Sequence, residues 1–275
     1  MTMNKSVRLS VITPSFNQSD FIGRTIQSVL GQETDAEFEY IIIDGASTDG
    51  TIEILKKFSD KLTWVSSPDD GQADAVNKGI DQAHGEIIGW LNSDDVYLSG
   101  TLKKVICYFD EHPECQWLYG QCNIIDDNDR EVRHWLTKYK NVRIRKFHFN
   151  KLLLENCISQ PAVFFRKSAF YTAGKLDTEL PYAMDYDLWL RLAQLYPPGI
   201  IRDYLASFRV HKQSKSTANS RQQFIEQYKI HKKYDHRKSY LFLHRMFMHA
   251  TIFGYRLMSK ISDPGSAGSW RAVPR

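Results

Sequence analysis

The segment IIGWLNSDD, residues 87–95, joins an apolar run to two adjacent carboxylates. Turn residues bound the run on both sides, so it predicts a buried β-strand. Asp94 and Asp95 then lie where the strand leaves the sheet, which is the end at which open α/β sheets bind ligands. Adjacent carboxylates repel each other unless a cation is present, and a divalent ion that carries substrate phosphates would neutralise them. Taken alone, the pair is also typical of a solvated turn or a helix cap.

The chain before residue 87 alternates strand and helix patterns. Strands are predicted over residues 7–14, 40–45 and 62–66, and helices over 21–30, through Leu55 and over about 73–83. This order predicts an α/β fold with a mostly parallel central sheet flanked by helices. Right-handed crossovers place the carboxyl-end loops along one edge. We therefore expect Asp44, Asp70, Asp94 and Asp95 to converge on one acidic cleft.

Five motifs in order resemble the family 2 glycosyltransferases of the GT-A fold. They are SVITPSFN (10–17), IDGASTDGT (43–51), PDDG (68–71) with NKG (77–79), LNSDD (91–95) and MDYDLWLRL (184–192). The resemblance runs from Leu9 to about Thr217 and implies a GT-A domain over residues 1–217, with a nucleotide-sugar half (1–100) and an acceptor half (101–217). It implies an inverting, metal-dependent enzyme that moves a sugar from a nucleotide, expected to be UDP, to a hydroxyl acceptor.

The resemblance also implies a nucleotide site. Its residues would be Thr13, Pro14, Asn17, Asp44, Asp70, Asn77 and Ser93. Asp44 would accept a hydrogen bond from uracil N3–H, a donor that adenine lacks. The alternative for Asp44 is an N-cap of the next helix, although three neighbouring polar residues compete for that role.

A metal site is implied beside it. Asp94, and second Asp95, would bind Mn²⁺ or Mg²⁺, which would offset the charge on the leaving diphosphate. His211 would be a further metal or diphosphate contact, although a lone His is as often a surface or core residue. Asn92 departs from the family's DxD pattern, because it can bond a ribose or sugar but brings no charge.

The resemblance assigns the catalytic base to Asp185, which would remove the proton of the acceptor hydroxyl. Met184 stands where the family has a second carboxylate. The alternative is a plain helix start with Asp185 as its cap, and Asp187 is interpreted as structural. A strand is predicted over residues 158–165, and Gln160 within it would contact the donor sugar.

Residues 126–151 follow with a turn and then a basic, aromatic segment. Basic residues interleaved with aromatic ones are typical of nucleic-acid binding, but the acidic cleft nearby argues against it. We interpret the segment as acceptor or lid surface, with Trp135 and Tyr139 against sugar rings. A plain exposed loop is the alternative.

Positive charge is concentrated at the C-terminal end. Residues 221–275 hold eleven Lys/Arg and three Asp/Glu, whereas the whole chain carries a net charge of +4. Residues 238–261 fit a basic amphipathic helix that binds an anionic membrane or packs on the catalytic domain. We therefore predict a helical extension over residues 218–262 and a flexible tail over 263–275.

Composition fits a globular protein, with 42% hydrophobic and 25% charged residues. The four cysteines lack metal-site spacing and predict reduced thiols, and neither a signal peptide nor a spanning segment is recognisable. These features predict a cytoplasmic protein, which the basic helix over residues 238–261 would hold at the inner face of the membrane. The resemblance implies a saccharide or lipid-linked acceptor, and we expect no nucleic-acid partner. The alternative function is a catalytically inactive nucleotide-sugar-binding scaffold, which Asn92 and Met184 suggest.

Overall fold

The computed structural model describes residues 6–211, 214, 220–234 and 246. The strands are β1 (Leu9–Ser15), β2 (Phe38–Asp44), β3 (Thr63–Ser66), β4 (Ile87–Trp90), β5 (Val96–Tyr97), β6 (Trp117–Ile125), β7 (Val163–Arg166) and β8 (Gly199–Arg209). The helices are α1 (Ile22–Leu30), α2 (Thr51–Lys56), α3 (Gln72–Gln82), α4 (Thr101–Glu111), α5 (His134–Arg143), α6 (Phe149–Leu154), α7 (Lys167–Ala173), α8 (Met184–Leu195) and α9 (Ser220–Tyr234).

The eight strands form one sheet in the order β3-β2-β1-β4-β7-β6-β8-β5. The first four are parallel and are joined by α1, α2 and α3, which confirms the strand and helix order predicted for this half. β7 is antiparallel to β4 and β6, β6 is parallel to β8, and β5 is antiparallel to β8. Six of the eight strands therefore run in one direction, as a mostly parallel sheet requires.

The parallel half is buried on both faces. Val11 of β1 belongs to one core with Ile22 of α1, whereas its neighbour Ile12 belongs to the other core with Val76 of α3. A strand covered on both sides needs a continuous apolar run rather than an alternating one. The close packing of α3 on β1 requires Gly79, where a Cβ would lie 2.3 Å from Ile12 Cγ2.

The predicted strand over residues 158–165 begins later than expected. Gln160–Ala162 form a 3₁₀ turn, and β7 starts only at Val163. Pro161 explains this, because it has no N–H for a strand ladder but fits the first positions of a helical turn.

α9 is the described part of the predicted C-terminal extension, apart from Met246. It packs against the acceptor half, where buried His231 donates from Nδ1 to the carbonyl of Leu153 at 2.7 Å. The basic helix predicted over residues 238–261, except Met246, and the tail predicted over 263–275 lie outside the described residues. Within the described part, no helix combines the length and hydrophobicity needed to cross a bilayer. All four cysteines are free thiols, as predicted.

Candidate active site

A cleft opens at the carboxyl ends of β1 and β4. Its cavity has a volume of about 510 Å³, which is typical of small-molecule sites. The loop before α3, the start of α8 and residues near α9 complete its walls. The predicted site residues that line it are Pro14, Asn92, Ser93, Asp94, Gln160 and Asp185.

Asp94 and His211 meet at one side of the cleft. His211 Nε2 lies 3.1 Å from Asp94 Oδ2, and the His211 ring packs on Phe21 with ring centroids 4.4 Å apart. The pair brings an imidazole nitrogen and a carboxylate oxygen together, and both are ligands for divalent transition metals. Among the described residues, no group of three or more His, Cys, Asp or Glu forms a potential metal site. A metal here would need its remaining ligands from substrate and water.

Asp95 is not among the residues that line the cleft, and its assignment as a second metal ligand stays a prediction. It is fully buried, and its Oδ1 accepts the backbone N–H of Arg209 at 2.8 Å. Burial, together with the neighbouring charge of Asp94, raises the pKa of Asp95 well above its ordinary value. Asp95 therefore joins the loop after β4 to the end of β8.

Asn92 lies at the centre of a network of neutral polar groups. Its Oδ1 accepts hydrogen bonds from Gln72 Nε2 at 2.7 Å and from Trp90 Nε1 at 2.9 Å. Its Nδ2 donates to Gln160 Oε1 at 2.9 Å, and Gln160 Nε2 in turn donates to the carbonyl of Trp90. The amide is matched to its partners as both donor and acceptor, so the absence of a carboxylate at this position has a structural reason.

Asp185 is the second residue of α8 and is half-buried at the cleft wall. Burial raises its pKa to about 6, although the backbone N–H of Tyr186 donates to its Oδ1 at 2.7 Å and opposes the shift. A carboxylate with a pKa in this range can act as a general base near neutral pH. Asp187 instead lies buried and pairs with Arg191, Nε to Oδ2 at 2.9 Å, in the structural role expected of it.

On the nucleotide side, Asp69 rather than Asp70 lines the cleft. Asp69 Oδ1 accepts the N–H of Gly71 at 2.9 Å, and a Cβ at Gly45 would lie 2.8 Å from Asp69 Oδ2. Asp70 is exposed and is not part of the lining. The sequence places both carboxylates in one loop, but no pattern in it indicates which of the two side chains faces the cleft.

Phe16 was also missed. It lines the cleft, and its side chain is 60% exposed although it is large and apolar. An aromatic ring that a fold leaves open at a ligand cavity offers a face on which a flat ring can stack.

Asp44 and Thr13 are buried and are not among the residues that line the cleft, so their assignment to the nucleotide site stays a prediction. Asp44 is fully buried and accepts the backbone N–H of Ser47 at 2.9 Å, the hydroxyl of Ser47 at 2.5 Å and the hydroxyl of Ser66 at 2.8 Å. Thr13 is buried with its Oγ1 3.0 Å from the hydroxyl of Tyr40. Asp44 thus holds the turn after β2.

Asn17 and Asn77 likewise join parts of the fold and do not line the cleft. Asn17 has a positive φ of 52°, and its Oδ1 accepts the N–H of Thr48 at 2.9 Å. Asn77 Nδ2 donates to the carbonyl of Leu176, and Asn77 Oδ1 accepts the N–H of the same residue. These bonds give both side chains a structural role, and their assignment to the nucleotide stays a prediction.

Trp135 lies on α5, is 53% exposed, and is not among the residues that line the cleft. Its assignment to an acceptor or lid surface that contacts sugar rings stays a prediction. Gln223 of α9, which no motif indicated, does line it. α9 is also bonded to the cleft wall, since Glu226 Oε2 accepts the N–H of Tyr182 at 2.9 Å.

The sheet and its cleft have the architecture of the GT-A glycosyltransferases. The fold matches S. aureus TarS in complex with UDP-GlcNAc with a TM-score of 0.66 and 20% identity, over 82% of this chain and 65% of that one. It also matches the mannosyltransferase PcManGT of Pyrobaculum calidifontis, solved with GDP-Man and Mn²⁺, with a TM-score of 0.68 and 18% identity, over 98% of this chain and 78% of that one. This level of identity establishes the fold alone.

The chain belongs to glycosyl transferase family 2, whose family model matches residues 10–172. It is 28% identical over 201 residues to a PGL/p-HBAD biosynthesis glycosyltransferase of Mycobacterium bovis (strain BCG / Pasteur 1173P2), covering 71% of this chain and 73% of the relative. It is 25% identical over 228 residues to an uncharacterized glycosyltransferase of Methanocaldococcus jannaschii, covering 80% of this chain and 77% of that protein. The protein is therefore a glycosyltransferase.

Proposed function

We propose that the protein is an inverting, metal-dependent glycosyltransferase that uses a nucleoside diphosphate sugar, first of all a UDP-sugar, and a hydroxyl acceptor. The observation that carries this proposal is that Asp94, which pairs with His211, and the half-buried Asp185 line one cavity. Asp94 and His211 would bind the donor, and Asp185 would activate the acceptor.

The carboxylate of Asp94 and the imidazole of His211 are suitable ligands for Mn²⁺ or Mg²⁺. Asp94 and His211 would hold the ion, with the remaining ligands from the donor's diphosphate and water. When bound, the ion neutralises negative charge that develops on the leaving diphosphate.

Asp185 would be the general base. As the acceptor oxygen forms a bond to the anomeric carbon, the bond from that carbon to the diphosphate oxygen breaks and its electron pair leaves with the diphosphate. The proton of the acceptor hydroxyl passes to the Asp185 carboxylate, whose pKa of about 6 leaves it ionised at neutral pH. Attack from the side opposite the leaving group inverts the anomeric centre.

Phe16 and Asp69 would form the nucleobase end of the site. Phe16 offers a ring face for stacking, and the Asp69 carboxylate can accept a hydrogen bond from a base N–H. Uracil and guanine both carry a ring N–H, whereas adenine does not. The pair therefore favours UDP-sugars or GDP-sugars over ADP-sugars. Asn92 and Gln160 would lie against the donor sugar.

We propose a saccharide or lipid-linked acceptor, in polysaccharide or glycolipid assembly at the cytoplasmic face of a membrane. The mycobacterial relative, named for PGL/p-HBAD biosynthesis, supports this setting. Residues 1–100 would form the nucleotide-sugar half and residues 101–217 the acceptor half of the catalytic domain. The residues predicted to form a basic helix over 238–261 would add a contact with anionic lipid.

Titration calorimetry of UDP, GDP and dTDP, each with and without Mn²⁺, tests the proposal. We expect Mn²⁺-dependent binding of UDP, followed by turnover of a UDP-sugar in a donor panel. Preference for GDP would keep the mechanism and change the donor. Nucleotide binding with no turnover of any donor would favour the inactive scaffold instead.

A further inference from the structure

Helix α5 turns apolar side chains away from the protein. Trp135, Tyr139 and Val142 are 53%, 40% and 51% exposed, whereas Leu136 and Asn141 are buried. Spacings of four and three residues place the three exposed side chains on one side of the helix. A helix that covers a sheet ordinarily keeps its apolar stripe inward and its polar residues outward. The packing of α5 against the protein therefore does not account for the apolar side chains on its outer face.

The same segment is strongly basic. Residues 133–151 contain seven Lys/Arg and no Asp/Glu. Lys138, Arg145 and Lys146 are exposed, and among the described residues no carboxylate forms a salt bridge with these three. Lys138 follows Trp135 by one helical turn and so lies beside it. Cations thus flank the exposed aromatic and aliphatic side chains.

The side chains that α5 exposes do not line the small cavity beside them. That cavity, about 30 Å³ in volume, is lined by Arg143 and Lys146 among others but not by Trp135, Tyr139 or Val142. A sugar or nucleotide would lie on an open surface, whereas an extended layer would contact every exposed side chain at once.

We propose that this outer face, formed by Trp135, Lys138, Tyr139 and Val142 of α5, docks on an anionic lipid bilayer together with the exposed Lys146, which follows the helix. Trp and Tyr side chains favour the interface between lipid and water, where the ring is in an apolar layer and the polar atom keeps a polar partner. The Tyr139 hydroxyl has such a partner, because it donates to Glu155 Oε2 at 2.8 Å. Lys side chains beside them bind anionic headgroups. The aromatic side chains of this face match the apolar layer of such an interface, and its lysines match the headgroup layer.

Docking here would also orient the active site. α5 packs on β6, and the charge of Lys140 on this helix acts on Asp185, whose pKa it lowers against the larger effect of burial. The acceptor side of the cleft therefore lies close to the docking helix. A lipid-linked acceptor would then approach Asp185 from the membrane. The docking itself is independent of the proposed transfer reaction, since vesicle binding is measured without donor or acceptor.

Tryptophan emission of the full-length protein tests the contact directly. We expect vesicles of phosphatidylcholine with 30% phosphatidylglycerol, as a chosen composition, to shift the emission to the blue, and brominated phosphatidylcholine to quench it. Trp270→Phe serves as the background, because Trp270 follows residues 238–261, which would also contact lipid. Both signals should remain in Trp270→Phe and disappear when Trp135→Phe is added. Quenching that persists in the double variant overturns the proposal.

Charge reversal provides a second readout. Each cation near an anionic surface contributes about fivefold to binding, so Lys138→Glu with Lys146→Glu should lower vesicle partition by about 25-fold or more. The control is Lys56→Glu with Lys57→Glu, two exposed positions at the end of α2, which should change partition far less. Unchanged partition in the α5 pair, absence of vesicle binding, or a loss confined to acceptor KM or RNA binding would each overturn the proposal.

Discussion

His211 Nε2 lies 3.1 Å from Asp94 Oδ2, although 117 residues separate them in the chain. Asp94 follows β4 and His211 follows β8, and Arg209 joins these two segments. Its backbone N–H donates to Asp95 Oδ1 at 2.8 Å, and its Nε donates to the carbonyl of Asp94 at 2.7 Å. Buried hydrogen bonds from Arg209 therefore set the relative position of the two segments that carry the pair.

Replacement of Asp94 tests this pair as a metal site. Asp94→Asn keeps the shape of the side chain but removes the charge, and we expect Mn²⁺-dependent UDP binding to weaken by roughly 100-fold or more. Calorimetry with and without Mn²⁺ measures the change, and Asp70→Asn, at an exposed position, is the matched control. An unaltered response to Mn²⁺ in Asp94→Asn would remove this residue from the metal site.

Asp185→Asn should abolish transfer and leave nucleotide binding intact. Loss of a general base lowers kcat by about 10²- to 10⁴-fold. The base acts when it is deprotonated, so kcat/KM of the unaltered protein should rise with pH through about 6 and level off above it. A pH profile of initial rates and a UDP titration measure the two effects. A rate that does not depend on pH between 5 and 7 would argue against Asp185.

The same substitution should stabilise the fold at neutral pH. The pKa of Asp185 is raised from 3.8 to about 6 by burial, so the folded protein binds this proton more tightly than the unfolded chain. The stability that this carboxyl contributes is present below pH 3.8 and is lost as pH rises through 6. The ionised group then opposes folding by at most about 3 kcal/mol, less where water reaches it. Calorimetry should show a higher Tm for Asp185→Asn at pH 7.5 and a smaller gain near pH 4. An equal gain at both values would assign it to packing.

The parallel half of the fold could be predicted because its strands are buried on both faces. Such strands are short apolar runs between turn residues, and residues 87–90 are an example. The strand order of the acceptor half was less predictable, because it depends on pairing between strands that are far apart in the chain. β6 pairs with β8 across a segment that contains α5, α6, α7 and α8, and no local pattern encodes that register.

The residue types of the site and their places along the chain could be predicted from the sequence. The directions of the side chains could not. Asp94 lines the cleft whereas Asp95 is buried, and Asp69 lines it whereas Asp70 does not. Residues 92–95 form a turn, closed by a hydrogen bond from the Asp95 N–H to the Asn92 carbonyl at 3.1 Å, so no strand or helix periodicity fixes the direction of these side chains. A motif with two adjacent carboxylates therefore does not show which one meets the ligand. The burial of Asp44 could not be predicted for a related reason, since its partners, Ser47 and Ser66, lie in two different segments.

Asp69 and Asp44 should respond oppositely to loss of charge. Asp69→Asn is expected to weaken UDP binding by about tenfold, because a carboxylate that accepts a hydrogen bond contributes about 1.5 kcal/mol or more. Asp44→Asn should instead lower the free energy of unfolding by about 1–3 kcal/mol, because the amide cannot accept all three hydrogen bonds that Ser47 and Ser66 donate. Calorimetric binding and thermal unfolding of both variants measure the two effects. If Asp44→Asn lost UDP binding at unchanged stability, Asp44 would contact the nucleobase, as the family resemblance implies.

Asn92→Asp should destabilise the protein, although it restores the carboxylate typical of this motif. The new side chain could still accept hydrogen bonds from Gln72 and Trp90, but its second oxygen would face Gln160 Oε1, to which Asn92 now donates. Rotation of the Gln160 amide would not help, because its Nε2 already donates to the carbonyl of Trp90. The buried Asp95 carboxyl lies on the same side, with its Oδ2 3.4 Å from Asn92 Nδ2. We expect the free energy of unfolding to fall by about 1–3 kcal/mol, measured in urea, with the exposed Asn150→Asp as the matched control. If Asn92→Asp matched the control, this network would not be the reason for an amide at position 92.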